Sequence, residues 1–176
     1  MSTIKTNAIQ TTAGKPILNS TGSILQVVST NFTSTFTTTS TTPVAVTGFN
    51  ATITPSNSSN KILVLGYITL GQSANVAYLM SGYITRNGTA YNIADAAGSR
   101  GRFQFGTQQP GNNDATCMYT VVSLDSPSTT SGLTYQVYVQ AETPQTLWVN
   151  RGQENDGDTA ISGRFVSSIT LMEISG

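Results

Sequence analysis

Leu133-Thr134-Tyr135-Gln136-Val137-Tyr138-Val139-Gln140-Ala141 is the stretch that decides the fold class. Successive side chains of a β-strand point to opposite faces. The stretch therefore sets Leu133, Tyr135, Val137, Val139 and Ala141 on one face and Thr134, Gln136 and Gln140 on the other. Such a strand buries one face and wets the other. Working outward, Val44, Val46, Phe49, Ala51 and Ile53 mark a second strand, closed by the turn-forming run Pro55-Ser56-Asn57-Ser58-Ser59-Asn60. Residues 61–70 follow and are apolar on both faces over most of their length, which calls for a second layer. Asn87-Gly88 suits the positive dihedral angles of a two-residue hairpin turn, so the strands beside it are expected to pair directly.

Further strands are expected at 24–28, 118–124, 146–150 and 165–174, with loops at 106–114, 124–132 and 153–157. A period of 3.6 is almost absent, so little helix is expected. Many short strands between Gly, Pro and Asn turns predict an all-β fold, an antiparallel β-sandwich of the jelly-roll kind.

At 176 residues the chain is long enough for one core but too short for two. Eight basic and eight acidic side chains give a net charge of zero and only 9% charged residues. That balance offers no electrostatic footprint for nucleic acid or an anionic membrane. Hydration is left to Ser, Thr, Asn and Gln, a surface suited to assembly into something larger. No basic segment leads into an apolar core at the N-terminus, and no apolar run nears the roughly 18 residues of a membrane span, so the expectation is synthesis in a cytosol without membrane insertion.

The first residues, MSTIKTNAIQTTAGKPILNSTGSILQVV, differ from the rest. Ile4, Ile9, Ile17 and Leu18 are too sparse and irregular for an amphipathic helix, and Gly14, Pro16 and Gly22 interrupt any long element. Residues 1–23 read as an arm that docks on another protein through those apolar residues, and 24–176 as the β-sandwich. A loose leader is the plainer alternative.

The arm resembles the N-terminal attachment segments of small tail-fibre and virion-surface proteins of tailed bacteriophages, marine and cyanobacterial ones especially. The likeness lies in Ile4-Lys5-Thr6-Asn7, Ile9-Gln10, Gly14-Lys15-Pro16-Ile17-Leu18 and Gly22-Ser23-Ile24-Leu25-Gln26-Val27. Residues 51–64 are similar to the second-strand region of phage fibre-tip domains, and Ser168-Ile169-Thr170-Leu171-Met172-Glu173-Ile174 to their closing strand. The resemblance implies a jelly roll like that of tumour necrosis factor, a homotrimer, and residence in a virion assembled in the host cytoplasm.

The residues support self-association independently. Strands apolar on both faces need a partner for the second face, which marks Leu63, Leu65, Tyr67, Met172 and Ile174 as candidates for a subunit interface. Cover by a long loop is the alternative.

Chemistry is sparse. No histidine occurs, which removes the usual general base, the Ser-His-Asp arrangement and histidine-based metal sites. Cys117 is the single cysteine and reads as a strand residue rather than a nucleophile. Glu142, Glu154, Asp156, Asp158 and Glu173 are the carboxylates from which a glycosidase pair would be drawn, but most fall in expected loops. Gln153-Glu154-Asn155-Asp156-Gly157-Asp158 has calcium-type donors without the calcium-loop spacing, and a solvated acidic turn is the default. Arg100, Arg102 and Arg151 form a second group, read as pairing with Asp95 or the acidic turn.

No catalytic residue, metal or cofactor is assigned. Trp148, beside Arg151, is the candidate for stacking on a sugar ring, against its burial in the core. The leading expectation is a non-enzymatic virion structural protein, a trimeric tail fibre, spike or head decoration held by its arm to another virion protein. The alternative is a fibre-tip module that binds a host-surface glycan.

Overall fold

The computed structural model describes residues 21–73, 78–108, 116–142, 145–152 and 163–176. These form β-strands and connecting turns, with no helix among them. The strands are β1 (Ile24–Phe32), β2 (Phe36–Thr38), β3 (Val44–Ile53), β4 (Lys61–Gln72), β5 (Leu79–Arg86), β6 (Thr89–Ala90), β7 (Phe105–Gln108), β8 (Thr116–Asp125), β9 (Leu133–Gln140), β10 (Leu147–Val149) and β11 (Ser167–Ile174).

Two antiparallel sheets result. In the first, β1 pairs β11, β11 pairs β4, and β8 takes the other edge of β4. The last residues of β4, Leu70 to Gln72, pair β10, which leads on to β2. The second sheet runs β3, β9, β5, β6, with β7 also on β5.

The sheets pack face to face over one core. Ile62, Val64, Ile68 and Leu70 of β4 and Ile169 and Leu171 of β11 meet Ala51 and Ile53 of β3 and Tyr135, Val137 and Val139 of β9. The alternation in 133–141 is therefore realised as read, with Leu133, Tyr135, Val137, Val139 and Ala141 all buried. Phe32 of the first sheet stacks on Phe49 of the second, ring centroids 5.0 Å apart. Phe49 gets there because β3 slips register between Ala45 and Asn50. The Gln136 amide donates to the carbonyls of Val46 and Phe49 at 2.7 and 3.0 Å, filling the ladder gap that the slip opens.

The Asn87-Gly88 hairpin forms, with φ of 49° and 81°, and pairs Thr85 with Ala90 and Arg86 with Thr89. Several boundaries differ from expectation, among them that β1 runs on to Phe32 where 24–28 was expected. Phe105–Gln108 is a strand where a loop was expected to begin, because its backbone completes the edge of β5. Phe36–Thr38 pairs β10, a tertiary pairing with no local apolar alternation to announce it. The closing strand starts at Ser167 rather than Phe165. The acidic turn 153–158 and the arm residues Ile4, Ile9, Ile17 and Leu18 lie outside the described residues.

Candidate functional site: an apolar outer face

The inner faces of β1, β11, β4 and β8 hold the core, so the alternate residues of those strands form the outer face. Register sets them in rows. Val27 lies opposite Met172, Met172 opposite Leu63, and Leu63 opposite Leu124, an apolar row across the whole sheet. The next row runs Ser29, Thr170, Leu65, Val122, and the one after it Asn31, Ser168, Tyr67, Thr120. Beyond the first row, Ile24 faces Ile174, and Ile174 faces Lys61. Met118 sits across from Thr69.

Ile24, Val27, Met118, Val122 and Leu124 are each more than half exposed. Tyr67 is 37% exposed, and Leu63, Leu65, Met172 and Ile174 are half-buried by their neighbours on the face. Lys61 is the only charged side chain in these rows, at one end. The rim at Ser29, Asn31, Ser168, Thr170 and Thr120 is polar and uncharged. A contiguous patch of this kind exceeds the scattered apolar residues normal on a monomer.

The five residues singled out from sequence for an interface thus share one face. Sequence reasoning missed Val27, Met118, Val122 and Leu124. The period-two pattern of 116–125 carried the signal, but it does not say which side of the strand meets the core.

Trp148 is only 7% exposed. Leu147 and Val149 take the core face of β10, and Trp148, on the other face, lies under the Arg151 guanidinium, whose carbon is 5.0 Å from the ring centroid. Trp148 pairs with Gly71, where a Cβ would run into the Arg151 carbonyl. The chain after β10 therefore folds back over the strand, and Trp148 presents no open ring face to a sugar. Arg151 is its cover.

A polar clasp joins the two sheets at the rim of the core, at the far end of β8. Arg86 Nη1 donates to both oxygens of Asp125 at 2.7 and 2.8 Å, and the Tyr135 hydroxyl donates to Oδ2 at 2.6 Å. Tyr91 packs edge-on to Tyr135 and pairs its hydroxyl with Ser123 Oγ at 3.0 Å. Burial pushes the Tyr91 phenol up to about 12. Burial, together with the bond to Asp125, raises that of Tyr135 further. Tyr119 is raised too, chiefly by burial and then by neighbouring Cys117. These groups hold protons tightly, which suits bracing and not proton transfer at neutral pH.

Of the carboxylates considered for catalysis, Glu142 accepts from the Leu79 amide at 2.7 Å. Glu173 is buried and enclosed by donors. Arg102 bonds the Ala94 carbonyl. Cys117 is half-buried on β8, as expected of a strand residue. Among the described residues no group of three His, Cys, Asp or Glu is placed to hold a metal, and no helix is long and apolar enough to cross a membrane.

No protein-family model matches this chain, and no curated protein matches it.

Proposed function

We propose that this chain is a non-enzymatic structural protein that assembles with copies of itself through the outer face of the β1–β11–β4–β8 sheet, as a trimeric surface appendage of a tailed-phage virion. The observation that carries self-assembly is the row Val27, Met172, Leu63, Leu124 with Val122, Met118 and Ile24 around it. Leaving such a face in water forgoes roughly 25 cal/mol for each Å² of apolar surface. A face almost free of charge has no electrostatic preference for a different partner, and a copy offers the same apolar surface.

The strand orders support a jelly roll, since β1–β11–β4–β8 and β3–β9–β5–β7 arise when a folded-over hairpin alternates between two sheets. Placement in a virion, as a tail fibre, spike or head decoration, rests on the resemblance of residues 1–28, 51–64 and 168–174 to phage surface proteins. Attachment through the residues preceding β1 rests on it as well.

Light scattering coupled to size exclusion tests the assembly, with about three subunits expected from homo-oligomer symmetry and the resemblance. Leu124→Glu is expected to give a folded monomer, because Leu124 is exposed in the single chain and only a partner would bury the charge. A monomeric parent chain, or a Leu124→Glu variant that assembles normally, overturns this reading. Deleting residues 1–20 is expected to abolish incorporation into particles while leaving the body folded.

A second reading, glycan recognition, has a different support from the one the sequence offered. Tyr83 and Tyr138 stack at 5.9 Å on the outer face of the other sheet, half-exposed, with half-buried Gln140 on the same face of β9. Rings beside an amide match the needs of a pyranose. Tyr138→Ala is expected to reduce adsorption to host cells without changing oligomer mass if this face binds sugar.

A further inference from the structure

Glu173 is a buried carboxylate that points into the core from β11, and among the described residues no cation lies beside it. Its Oε1 accepts from the Ser56 amide at 2.6 Å, the Ser56 hydroxyl at 2.8 Å and the Asn60 amide at 2.5 Å. Its Oε2 accepts from Gln26 Nε2 at 2.7 Å, and the same Gln26 amide also donates to the Thr54 carbonyl at 2.7 Å. Asn60 in turn accepts from the Gly176 amide at 3.1 Å. One carboxylate thereby joins β1, the segment between β3 and β4, and the C-terminal residues.

Its position along β1 matters. The register of β1 on β11 is regular from Gln26 to Phe32 but shifts between Ile24 and Gln26, where Leu25 is inserted. The backbone bonds from Gly22 to Ser175 and from Ser175 to Ser23, at 2.8 and 2.9 Å, continue the pairing on the far side of the shift. Gln26 and Glu173 are directly opposed at the junction. A slip of one residue would exchange the faces of the strand, taking Val27 inward and the Gln26 amide outward. It would thus remove Val27 from the apolar row.

We propose that Glu173 is a positioning residue whose charged carboxylate pins the register of β1, and that neutralising it frees the start of β1 and, with it, the β1 edge of the assembly face. The second half rests on the self-assembly reading above. Protonation is disruptive because every partner is a donor. A proton on Oε1 or Oε2 points at N–H and O–H groups, of which the Asn60 amide nitrogen and the Ser56 backbone N–H cannot accept it.

The groups facing Glu173 are Gln26 from β1 and Thr54, Ser56 and Asn60 from the connection to β4. β4 itself supplies Ile62 as register partner, and Lys61 of β4 lies on the opposite face beside Ile174. Burial alone would raise the carboxyl. The bonds from Asn60, Gln26 and Ser56 outweigh it and hold the group below the ordinary 4.5. A lowered carboxyl stabilises the fold above its unfolded value and loses that contribution as pH falls through the lower folded value.

Hydrogen exchange on the full chain, corrected for intrinsic rates, tests the pin. At pH 7, Glu173→Gln is expected to reduce protection of the 24–32 amides by about tenfold, as one charge-assisted bond is lost, while leaving the 133–140 amides unchanged. In the parent chain the same β1 amides are expected to lose protection as pH falls below 4.5, and in Glu173→Gln that acid step is expected to vanish. Equal β1 protection in the two proteins, or an acid step that persists in the variant, overturns the proposal. If Glu173→Gln does not fold, carboxyl NMR of the parent chain decides it: Glu173 and the β1 amides must titrate together, and separate titration overturns the pin. Light scattering distinguishes the two readings, because a parent chain monomeric at pH 7 sinks self-assembly alone, and the exchange data still judge Glu173.

Discussion

Tyr135 and Asp125 tie the two sheets together: the hydroxyl on β9 donates to Oδ2 of the carboxylate on β8 at 2.6 Å. Arg86, from β5, holds the same carboxylate by both oxygens. Asp125 is 10% exposed at its side chain and Arg86 34%, so the pair sits at the rim of the core. Removing the Tyr135 hydroxyl leaves Asp125 its cation and costs one hydrogen bond to a charged group. Tyr135→Phe is expected to destabilise by about 1.5–3 kcal/mol in chemical unfolding. Asp125→Ala leaves both donors unpaired and is expected to cost more. Equal costs for the two variants would show that Arg86 contributes nothing through Asp125.

The tyrosines set an alkaline limit. Tyr91, Tyr119 and Tyr135 ionise in the unfolded chain near 10, but burial raises all three in the folded protein, Tyr91 to about 12. A raised phenol favours the fold below the unfolded value and loses that contribution as pH climbs toward the folded one. Stability is therefore expected to fall steeply from pH 10 to about 12. Ultraviolet titration is expected to show Tyr91, Tyr119 and Tyr135 ionising above pH 10, and all three ionising at the ordinary value of 10 would contradict the burial.

Trp148 tests whether packing or recognition claims the single tryptophan. With its ring under Arg151 and only 7% exposed, Trp148→Ala is expected to lower stability by roughly 3–5 kcal/mol, the usual cost of deleting a buried aromatic. A thermal melt reads the loss. An unchanged melt with weakened adsorption to cells would return Trp148 to the role of a ligand platform.

The hairpin at Asn87-Gly88 gives a local control. Gly88 has φ of 81° with open space around a Cβ, so Gly88→Ala meets backbone strain and no clash. A cost of about 1 kcal/mol is expected, with no effect on oligomer mass. Asn87 also accepts from the Thr134 amide at 2.8 Å through its side chain, so Asn87→Gly is expected to destabilise despite its easier backbone.

Period two in 133–141 was enough to specify a half-buried strand and its inward residues, because alternation is a property of the extended backbone itself. The Asn87-Gly88 turn was equally legible, since only a few residue types tolerate both positive angles. Residues 61–70 announced a strand with two apolar faces, and from that alone Leu63, Leu65 and Tyr67 could be set apart from Ile62, Val64 and Ile68. What the sequence could not decide is which strands stand side by side. The row from Val27 through Met172 and Leu63 to Leu124 joins residues up to 145 positions apart, and only the pairing of β1, β11, β4 and β8 makes four separate side chains into one surface. The same holds for Glu173 and Asp125. Their roles depend on donors brought from distant strands by the closing of the two sheets. The fate of Trp148 also turned on tertiary structure, because whether a large ring is covered depends on where the chain goes after Val149, which strand periodicity does not encode.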